Sequence, residues 1–165
     1  INPSPVQYRN EGEQITAWAD SLVIQGIPAQ AISIEITENL LMENQAEVVD
    51  ALDIVRKQGV SVSIDDFGTG YCSFAYLKNY TIDYLKIDKS FVQSISTGSK
   101  DIALCEAIIV MANKLNIKVI AEGIETEQQK QLLMQAGCLL GQGYLLAKPL
   151  SKDDFEQLLI TQNNA

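Results

Sequence analysis

Residues 60–71, with the sequence VSVSIDDFGTGY, constrain the fold of this chain more than any other stretch. The apolar, β-branched run that ends at Ile64 has the length and composition of a buried strand. Two adjacent carboxylates, Asp65 and Asp66, follow it and lead into a glycine-rich turn. In α/β folds, ligands bind where strands end in loops of this kind. The two acids could instead simply cap a turn, which is the ordinary role of an isolated Asp-Asp pair.

The same arrangement recurs along the chain, because strand-like runs alternate with helical patterns and each run leads to a polar side chain. The strands are predicted at residues 31–37, 60–64, 84–87, 118–121 and 138–140. Alternating strands and helices with polar groups at the strand ends are typical of a (β/α) barrel. We therefore expect an α/β fold of the TIM type, with an active site at the carboxyl ends of the strands.

Apolar periodicity and capping residues predict helices between these strands. They are placed at residues 13–25, 44–59, 100–115 and 126–137 and from residue 151 onward, with a short helical turn at 73–77. The residues expected to face inward are Ile15, Trp18, Leu22, Val23, Val48, Val49, Leu52, Val55, Ile102, Leu104, Cys105, Ile108, Ile109, Ala112, Leu115, Leu132, Leu133, Ala136, Phe155, Leu158 and Leu159.

The length of the chain is short for a closed barrel, which usually has eight strands in about 250 residues. The chain has 165 residues, and Ile1 resembles the end of a further strand. We therefore expect one domain over residues 1–165 that lacks the first one or two strands of the barrel. An open barrel exposes strand edges, so dimerisation, strand exchange or aggregation is expected as well.

The chain contains no histidine, and this absence excludes several classes of enzyme at once. Ser-His and Cys-His triads, histidine-ligated zinc and H-E-x-x-H proteases all require that residue. A metal would have to be held by carboxylates, amides and water, which favours hard cations such as Mg²⁺ or Mn²⁺. The formal net charge of −9 argues against a broad basic surface for duplex nucleic acid.

Cysteine usage and hydropathy indicate the compartment. Cys72, Cys105 and Cys138 lack the spacing of a metal site, so we expect reduced thiols in the cytosol. No apolar run approaches the roughly 18 residues of a transmembrane helix, and no signal peptide is visible. These features predict a cytoplasmic domain.

Oxygen ligands from three predicted strand ends could together bind a hard divalent cation: Asn2, Glu35, Asp65 and Asp66. Two such ions about 4 Å apart can clamp an in-line phosphoryl displacement. The alternative for Glu35 is a structural ion pair with Lys86 in the mouth of the barrel. Spacing alone leaves both interpretations open.

The polar residues at the later strand ends also allow two interpretations each. Lys86 suits binding a phosphate or orienting a hydroxide, but it could equally be a structural counter-ion. Glu122 could be a general base or a further metal ligand. It could also be a turn acid beside a helix N-terminus, a role that Glu125 fits better. Gln142, between two glycines, could bind a base edge or a water, although Gly-Gln-Gly is also an ordinary turn.

Taken in order, these motifs resemble those of one protein family. They are Asn2-Pro3-Ser4, Glu35-Ile36-Thr37-Glu38, Asp65-Asp66-Phe67-Gly68-Thr69-Gly70-Tyr71, Lys86-Ile87-Asp88, Ala121-Glu122-Gly123-Ile124-Glu125 and Gly141-Gln142-Gly143-Tyr144. The set is similar to the EAL family of bacterial phosphodiesterases. Those enzymes hydrolyse cyclic di-GMP to linear pGpG with Mg²⁺ or Mn²⁺ on a TIM-type barrel. The resemblance extends over essentially the whole chain.

The resemblance implies a role for each matching residue. The implied ligands of two metal ions are Asn2, Glu35, Asp65 and Asp66, with Asp65 shared between the ions. The implied catalytic residues are Lys86, which would orient the water and the scissile phosphate, Glu122, as general base or second-metal ligand, and Glu38, which would brace the loop 67–73. The implied substrate-binding residues are Gln142, Glu125 and Asp88.

The resemblance also implies partners. Cyclic di-GMP would be the ligand, and a homodimer would form with a contact near the loop 67–73. A sensory or diguanylate cyclase-like domain would lie upstream, and upstream segments could tether the protein to a membrane.

The chain departs from the family in one important respect, because the Glu-Ala-Leu signature is absent from its sequence. That signature should lie upstream of Ile1, and its glutamate is a metal ligand, so we expect this chain alone to be weakly active or inactive. Cys72 stands where the family usually has serine, and Pro3 occupies a variable position. The alternative function is a catalytically silent module that binds cyclic di-GMP or a protein partner.

Overall fold

The structure is a computed structural model that describes residues 13–38, 40, 45–70, 77 and 80–163. In these ranges the chain forms one parallel sheet whose strands lie side by side in chain order. The strands are β1 (Ser33–Thr37), β2 (Ser61–Phe67), β3 (Tyr84–Ile87), β4 (Lys118–Ala121) and β5 (Leu140–Gly141). Sequential parallel strands with helical crossovers form the wall of a (β/α) barrel, so the predicted α/β class is confirmed.

The helices flank and separate the strands in the predicted order, except that the short helix after β3 was not predicted. They are α1 (Glu13–Ile24), α2 (Gln45–Lys57), α3 (Lys89–Gln93), α4 (Lys100–Lys114), α5 (Glu127–Gln135) and α6 (Lys152–Asn163). Ser99 caps α4 by accepting a hydrogen bond from the Ile102 N–H. Thr126 and Gln129 form the predicted capping box at the start of α5. No helix of the described ranges is long and apolar enough to span a bilayer.

The core lies between the sheet and the helices. Alternate strand residues point toward the helices because side chains in a strand alternate between its two faces. The fully buried strand residues include Ile34, Ile36, Val62, Ile64, Leu85 and Ile87, and helices α2 and α4 contribute Val48, Val55, Cys105 and Ile109. Burying a branched side chain of this size stabilises the fold by about 1.5–3 kcal/mol.

The register of the sheet brings polar residues onto the opposite face. Glu35 pairs with Ser63, and Lys86 pairs with Ile120. Asp65 lies two residues beyond Ser63, and Glu122 lies two residues beyond Ile120. The period of two therefore places the acids and Lys86 on one face, near the carboxyl ends of the strands.

Several boundaries differ from the prediction for local reasons. The residues before β1 form a 3₁₀ turn, Ala29–Ala31, so the strand starts at Ser33. The Cys138 N–H donates to the Leu133 carbonyl and completes the end of α5, so β5 begins only at Leu140. The predicted strand end at Ile1, the helix start at Asn44 and most of the turn at 73–77 lie outside the described residues.

Some residues expected to face inward are exposed instead, with exposed fractions between 39% and 51%: Val23, Leu104, Leu115, Phe155 and Leu159. On α4 the buried stripe is Ile102, Cys105, Ile109 and Ala112, with the three- and four-residue spacing of one helix face. Leu104 lies beside that stripe and Leu115 lies beyond the end of the helix. On α6 most side chains are exposed, and Leu158 is half-buried.

Candidate functional site

Lys86 is the centre of the site, and its side chain is 6% exposed. Its ammonium lies 2.7 Å from Glu122 Oε1, 2.9 Å from Asp65 Oδ1 and 3.1 Å from Glu35 Oε1. The three acids come from β1, β2 and the residue after β4, so the fold brings together groups that are distant in the sequence. A buried ammonium is tolerated only when it is paired in this way.

The carboxylates of Asp65, Asp66 and Glu122 form a second group at the carboxyl ends of the strands, the edge of the sheet that we call the rim. One oxygen from each lies within 4.8 Å of the others. Asp66 reaches this position through a left-handed backbone conformation, with a φ of 53°, where the pairing of β2 with β3 becomes irregular. Such a conformation costs a residue other than glycine about 1–2 kcal/mol, and strained residues of this kind cluster at functional sites.

Burial and neighbouring charges shift the pKa values of the groups in this cluster. Burial raises the pKa of Glu122 above its ordinary value and outweighs the opposing effect of Lys86. The pKa of Asp66 is raised by burial first, and then by the negative charges of Asp65 and Asp88. Burial alone would lower the pKa of Lys86, but its hydrogen bonds to the carboxylates more than compensate and raise it. The lysine therefore stays charged, and a further cation would relieve the crowding of the acids.

Glu38, which was predicted to brace the loop after β2, is 3% exposed. Its Oε2 accepts hydrogen bonds from the Gly68 N–H at 3.1 Å and the Gly70 N–H at 3.2 Å. Gly68 has a φ of +99°, and a Cβ there would lie 2.9 Å from the ring of Phe91. The buried carboxylate is thus placed to hold the turn that follows Asp66.

Gln142 is part of a tight turn and also touches the acidic cluster. Its Nε2 donates to Glu122 Oε1 at 2.6 Å. Its backbone N–H donates to the Ala121 carbonyl at 2.8 Å, and its own carbonyl accepts from the Ile124 N–H. A Cβ on Gly143 would lie 2.2 Å from the backbone of Ile124, so only glycine permits this approach.

A cavity of about 670 Å³ adjoins the cluster on the side of β4 and β5. The cavity is lined by both acids of the Glu122–Glu125 loop and by basic and aromatic groups that include Lys89, Tyr144, Lys148 and Phe155. None of these last four residues was predicted as a site residue, although Phe155 was expected in the core and Tyr144 belongs to one of the family motifs. Lys89 is the second residue after β3, and Tyr144 and Lys148 follow the Gly-Gln-Gly turn, so their positions along the chain were an available signal.

Asp88, predicted to bind substrate, caps helix α3 instead of lining this cavity. Its Oδ1 accepts hydrogen bonds from the Ser90 N–H, at 2.9 Å, and from the Ser90 hydroxyl. Burial tends to raise the pKa of Asp88, but these hydrogen bonds outweigh it and lower the pKa. Asn2, predicted to be a metal ligand, lies outside the described residues.

The donor set fits a hard divalent cation. Asp65, Asp66 and Glu122 offer only carboxylate oxygens, which Mg²⁺, Mn²⁺ and Ca²⁺ accept as ligands. Glu35 is bound to Lys86, so the ion pair that the sequence left open as an alternative is present in this structure. The grouping of three acids includes Glu122, which was predicted as a base or a second-metal ligand.

Comparison with known proteins gives a consistent result. The sequence profile described as "EAL domain" matches residues 1–149. The cyclic di-GMP phosphodiesterase NbdA of Pseudomonas aeruginosa is 46% identical over 134 residues, which are 81% of this chain and 17% of NbdA. The chain spans about a fifth of the length of the curated relatives it matches.

Two solved structures share this fold. The PaMucR phosphodiesterase in complex with c-di-GMP matches with a TM-score of 0.87 and 34% identity, over 94% of this chain and 68% of that one. BlrP1 of Klebsiella pneumoniae, in complex with manganese and cy-diGMP, matches with a TM-score of 0.80 and 29% identity, over 88% of this chain and 37% of that one.

Proposed function

Because the chain belongs to the EAL domain family, we propose that it takes part in the hydrolysis of cyclic di-GMP to linear pGpG with the help of divalent cations. The observation that carries this proposal is the convergence of Glu35, Asp65 and Glu122 on Lys86 at one rim of a parallel sheet. This rim offers oxygen ligands for cations and a fixed positive charge for a phosphate. Both are needed to stabilise the transition state of phosphoryl transfer.

The proposed cation ligands are Asp65, Asp66 and Glu122, with Asn2 and Glu35 as further candidates. Mg²⁺ or Mn²⁺, when bound, would supply positive charge to the phosphate and lower the pKa of a water. Hard oxygen donors in a group of this size support the assignment.

The remaining chemistry is assigned to side chains of this chain. Water attacks the phosphorus, the bond to the ribose 3′ oxygen breaks, and the product keeps a 5′ phosphate. Glu122, where it does not itself bind a cation, accepts the proton of the water, and its raised pKa suits that role. Lys86 orients the scissile phosphate, and the departing 3′ oxygen takes a proton from solvent.

The dinucleotide itself would extend over the cavity beside the cluster. Gln142 and Glu125, which line this cavity, are the proposed substrate-binding residues, with Asp88 as a further candidate outside its lining. Glu38 would hold the loop after Asp66. PaMucR is solved in complex with c-di-GMP and shares this fold over most of the chain, which supports the choice of ligand.

Two further proposals concern the protein around this domain. Its relatives are about five times longer than the matched part, which supports the presence of a sensory or diguanylate cyclase-like domain in the same protein. We also propose a homodimer, and a cytoplasmic location for this domain.

The test is an assay of linear pGpG release from cyclic di-GMP by chromatography, with Mg²⁺ or Mn²⁺. It compares the chain with its Asp65→Asn variant and with Glu106→Gln, which changes an exposed acid on α4. A version that carries the N-terminal strands of the PaMucR domain is assayed in parallel, because that chain is longer than this one.

We expect the protein to release pGpG. Asp65→Asn should reduce this release at least 100-fold, and Glu106→Gln should leave it unchanged. Binding of cyclic di-GMP without hydrolysis by a folded, metal-loaded protein would instead establish the catalytically silent binding module.

A further inference from the structure

Glu125 is held from a neighbouring helix. Its Oε1 accepts a hydrogen bond from Gln93 Nε2 at 3.1 Å, and Gln93 is the last residue of α3. Both side chains line the cavity of about 670 Å³ that adjoins the acidic cluster. Among the described residues, no hydrogen bond is made to the other carboxylate oxygen of Glu125, so that oxygen is available to a ligand in the cavity.

The position of Gln93 is itself fixed by a buried side chain. Gln129, in the first turn of α5, is 7% exposed. Its Nε2 donates to the Gln93 carbonyl at 3.3 Å. Its Oε1 accepts from the Glu125 N–H at 2.8 Å and from the Thr126 N–H at 2.9 Å. One buried amide thus ties the end of α3 to the loop that carries Glu125, and all of its hydrogen-bonding atoms are used.

We propose that Gln93 is a positioning residue for the dinucleotide, acting through Glu125, and that Gln129 fixes the distance between the two. Gln93 occupies one oxygen of Glu125 and holds the carboxylate in one rotamer, so the other oxygen is presented to hydrogen-bond donors of the ligand. This inference rests on the proposed function, because it takes cyclic di-GMP as the occupant of the cavity.

The effect should concern binding more than chemistry. The ammonium of Lys86 is paired with Glu35, Asp65 and Glu122. Gln93 and Glu125 are not part of this group. Loss of a positioning contact outside the reacting groups raises KM and leaves kcat nearly unchanged. A hydrogen bond between neutral and charged groups at an exposed position has a modest effect, so we expect a change of about three- to tenfold.

The test measures the dissociation constant of cyclic di-GMP by calorimetry with Ca²⁺. KM and kcat are measured with Mg²⁺ in whichever of the two versions, the chain itself or the chain with the N-terminal strands of the PaMucR domain, hydrolyses cyclic di-GMP. Gln93→Ala removes the donor, and Gln93→Glu replaces it with a negative charge of similar shape. Gln128→Ala is the matched control, because Gln128 is an exposed glutamine on α5 next to the buried Gln129. A double-mutant cycle with Glu125→Gln separates an effect through Glu125 from a direct one.

We expect Gln93→Ala to weaken binding about three- to tenfold, Gln93→Glu to weaken it further, and both effects to disappear when Glu125→Gln is already present. Binding unchanged in Gln93→Ala, or an equal loss with and without Glu125→Gln, overturns the positioning role while the proposed function stands. If the parent protein does not bind cyclic di-GMP at all, the proposed function fails, and this inference fails with it.

Discussion

At the scale of single residues, the site is defined by an excess of negative over positive charge. Lys86 carries one positive charge, while Glu35, Asp65 and Glu122 together carry three negative charges when ionised. Asp66 adds another on the same rim. Burial is the main cause of the raised pKa values of Glu122 and Asp66, and the negative charges of neighbouring acids raise them further. A site of this composition is more stable when a cation joins it.

Lys86→Met should therefore destabilise the protein mainly when no divalent cation is present. Removing the buried partner of three carboxylates should cost about 3–5 kcal/mol of unfolding free energy in EDTA, and millimolar Mg²⁺ should restore part of it. Urea unfolding with and without Mg²⁺ measures both values. The control is Lys130→Met, which removes an exposed pair with Glu127 and should cost less than about 1 kcal/mol. A Lys86→Met variant as stable as the parent in EDTA would contradict this account.

The buried cysteines should be unreactive in the folded protein. Burial raises the pKa of Cys105 to about 11 and also raises the pKa of Cys138. In a Cys72→Ser background, which removes the thiol outside the described residues, we expect modification by a disulfide reagent at pH 8 to be at least about 100-fold slower than in urea. Absorbance of the released thiolate follows the reaction. Rapid labelling of the folded variant would show that the core around α4 and β4 is open.

At the scale of elements, two loops form the site because their backbones can approach closely. The Gly141-Gln142-Gly143 turn pairs with the loop after β4 through the Ala121 carbonyl and the Ile124 N–H. This contact places the Gln142 side chain on Glu122. A side chain at residue 143 would occupy the space of the Ile124 backbone.

Gly143→Ala should therefore separate the two loops and weaken ligand and metal binding at least tenfold, with a stability loss of about 2 kcal/mol or more. Calorimetric titration with Mn²⁺ and thermal unfolding measure the two effects. Gly98→Ala is the control, because Gly98 has a φ of +76° but no atom within 4 Å of the added Cβ. We expect that variant to lose about 1 kcal/mol of stability and no binding. Equal metal affinity in Gly143→Ala and the parent would refute the close-approach argument.

Elements at the other end of the sheet are joined by Asp83, before β3. Its Oδ1 accepts from Arg56 of α2 at 2.8 Å, and its Oδ2 accepts from the Val62 N–H at 2.8 Å. Burial tends to raise the pKa of Asp83, but the hydrogen bonds from Arg56 and Val62 outweigh it and lower the pKa. The carboxylate therefore stabilises the fold above its unfolded pKa of about 4, and this stabilisation is lost as the pH falls through the folded value.

Asp83→Asn should cost about 1 kcal/mol of unfolding free energy at pH 7, because the pair with Arg56 is partly exposed. The parent should lose stability more steeply than the variant as the pH falls below about 4. Urea unfolding between pH 3 and pH 7 measures this difference. Parallel pH profiles for the two proteins would exclude Asp83 as a source of the acid sensitivity.

At the scale of the whole molecule, metal binding and folding should be coupled. The acids of the proposed cation site come from β2 and from the loop after β4, so they are grouped only in the folded chain. A ligand that binds only the folded state stabilises it by an amount that grows with its concentration, about 2.7 kcal/mol at 100 times Kd.

Mg²⁺ or Mn²⁺ should therefore raise the melting temperature of the parent in a concentration-dependent way. Asp66→Asn should abolish that response, yet it should be slightly more stable than the parent in EDTA. Removing one of the crowded negative charges explains that gain, and asparagine also tolerates the left-handed backbone at residue 66. Thermal unfolding across a metal titration measures both effects, with Glu106→Gln as the control. A metal response that persists in Asp66→Asn would place the cation elsewhere.

The sequence by itself determined the class of fold, and it predicted most of the residues that the structure brings together at the carboxyl ends of the strands. Periodicity specifies which face of each strand is apolar, and turn residues mark where strands end, so the order of strands and helices followed without coordinates. The absence of histidine also favoured hard cations without coordinates, because the residue types present determine which metals can be bound.

Only the tertiary structure decided which groups touch. Lys86 could pair with any acid on the rim, and the register of β1 to β4 selects its contacts with Glu35, Asp65 and Glu122. The backbone approach at Gly143 and the contact between Gln93 and Glu125 also depend on distances between segments far apart in the chain. Local sequence specifies conformation along one segment, whereas such contacts are set by how all the segments pack around a shared core.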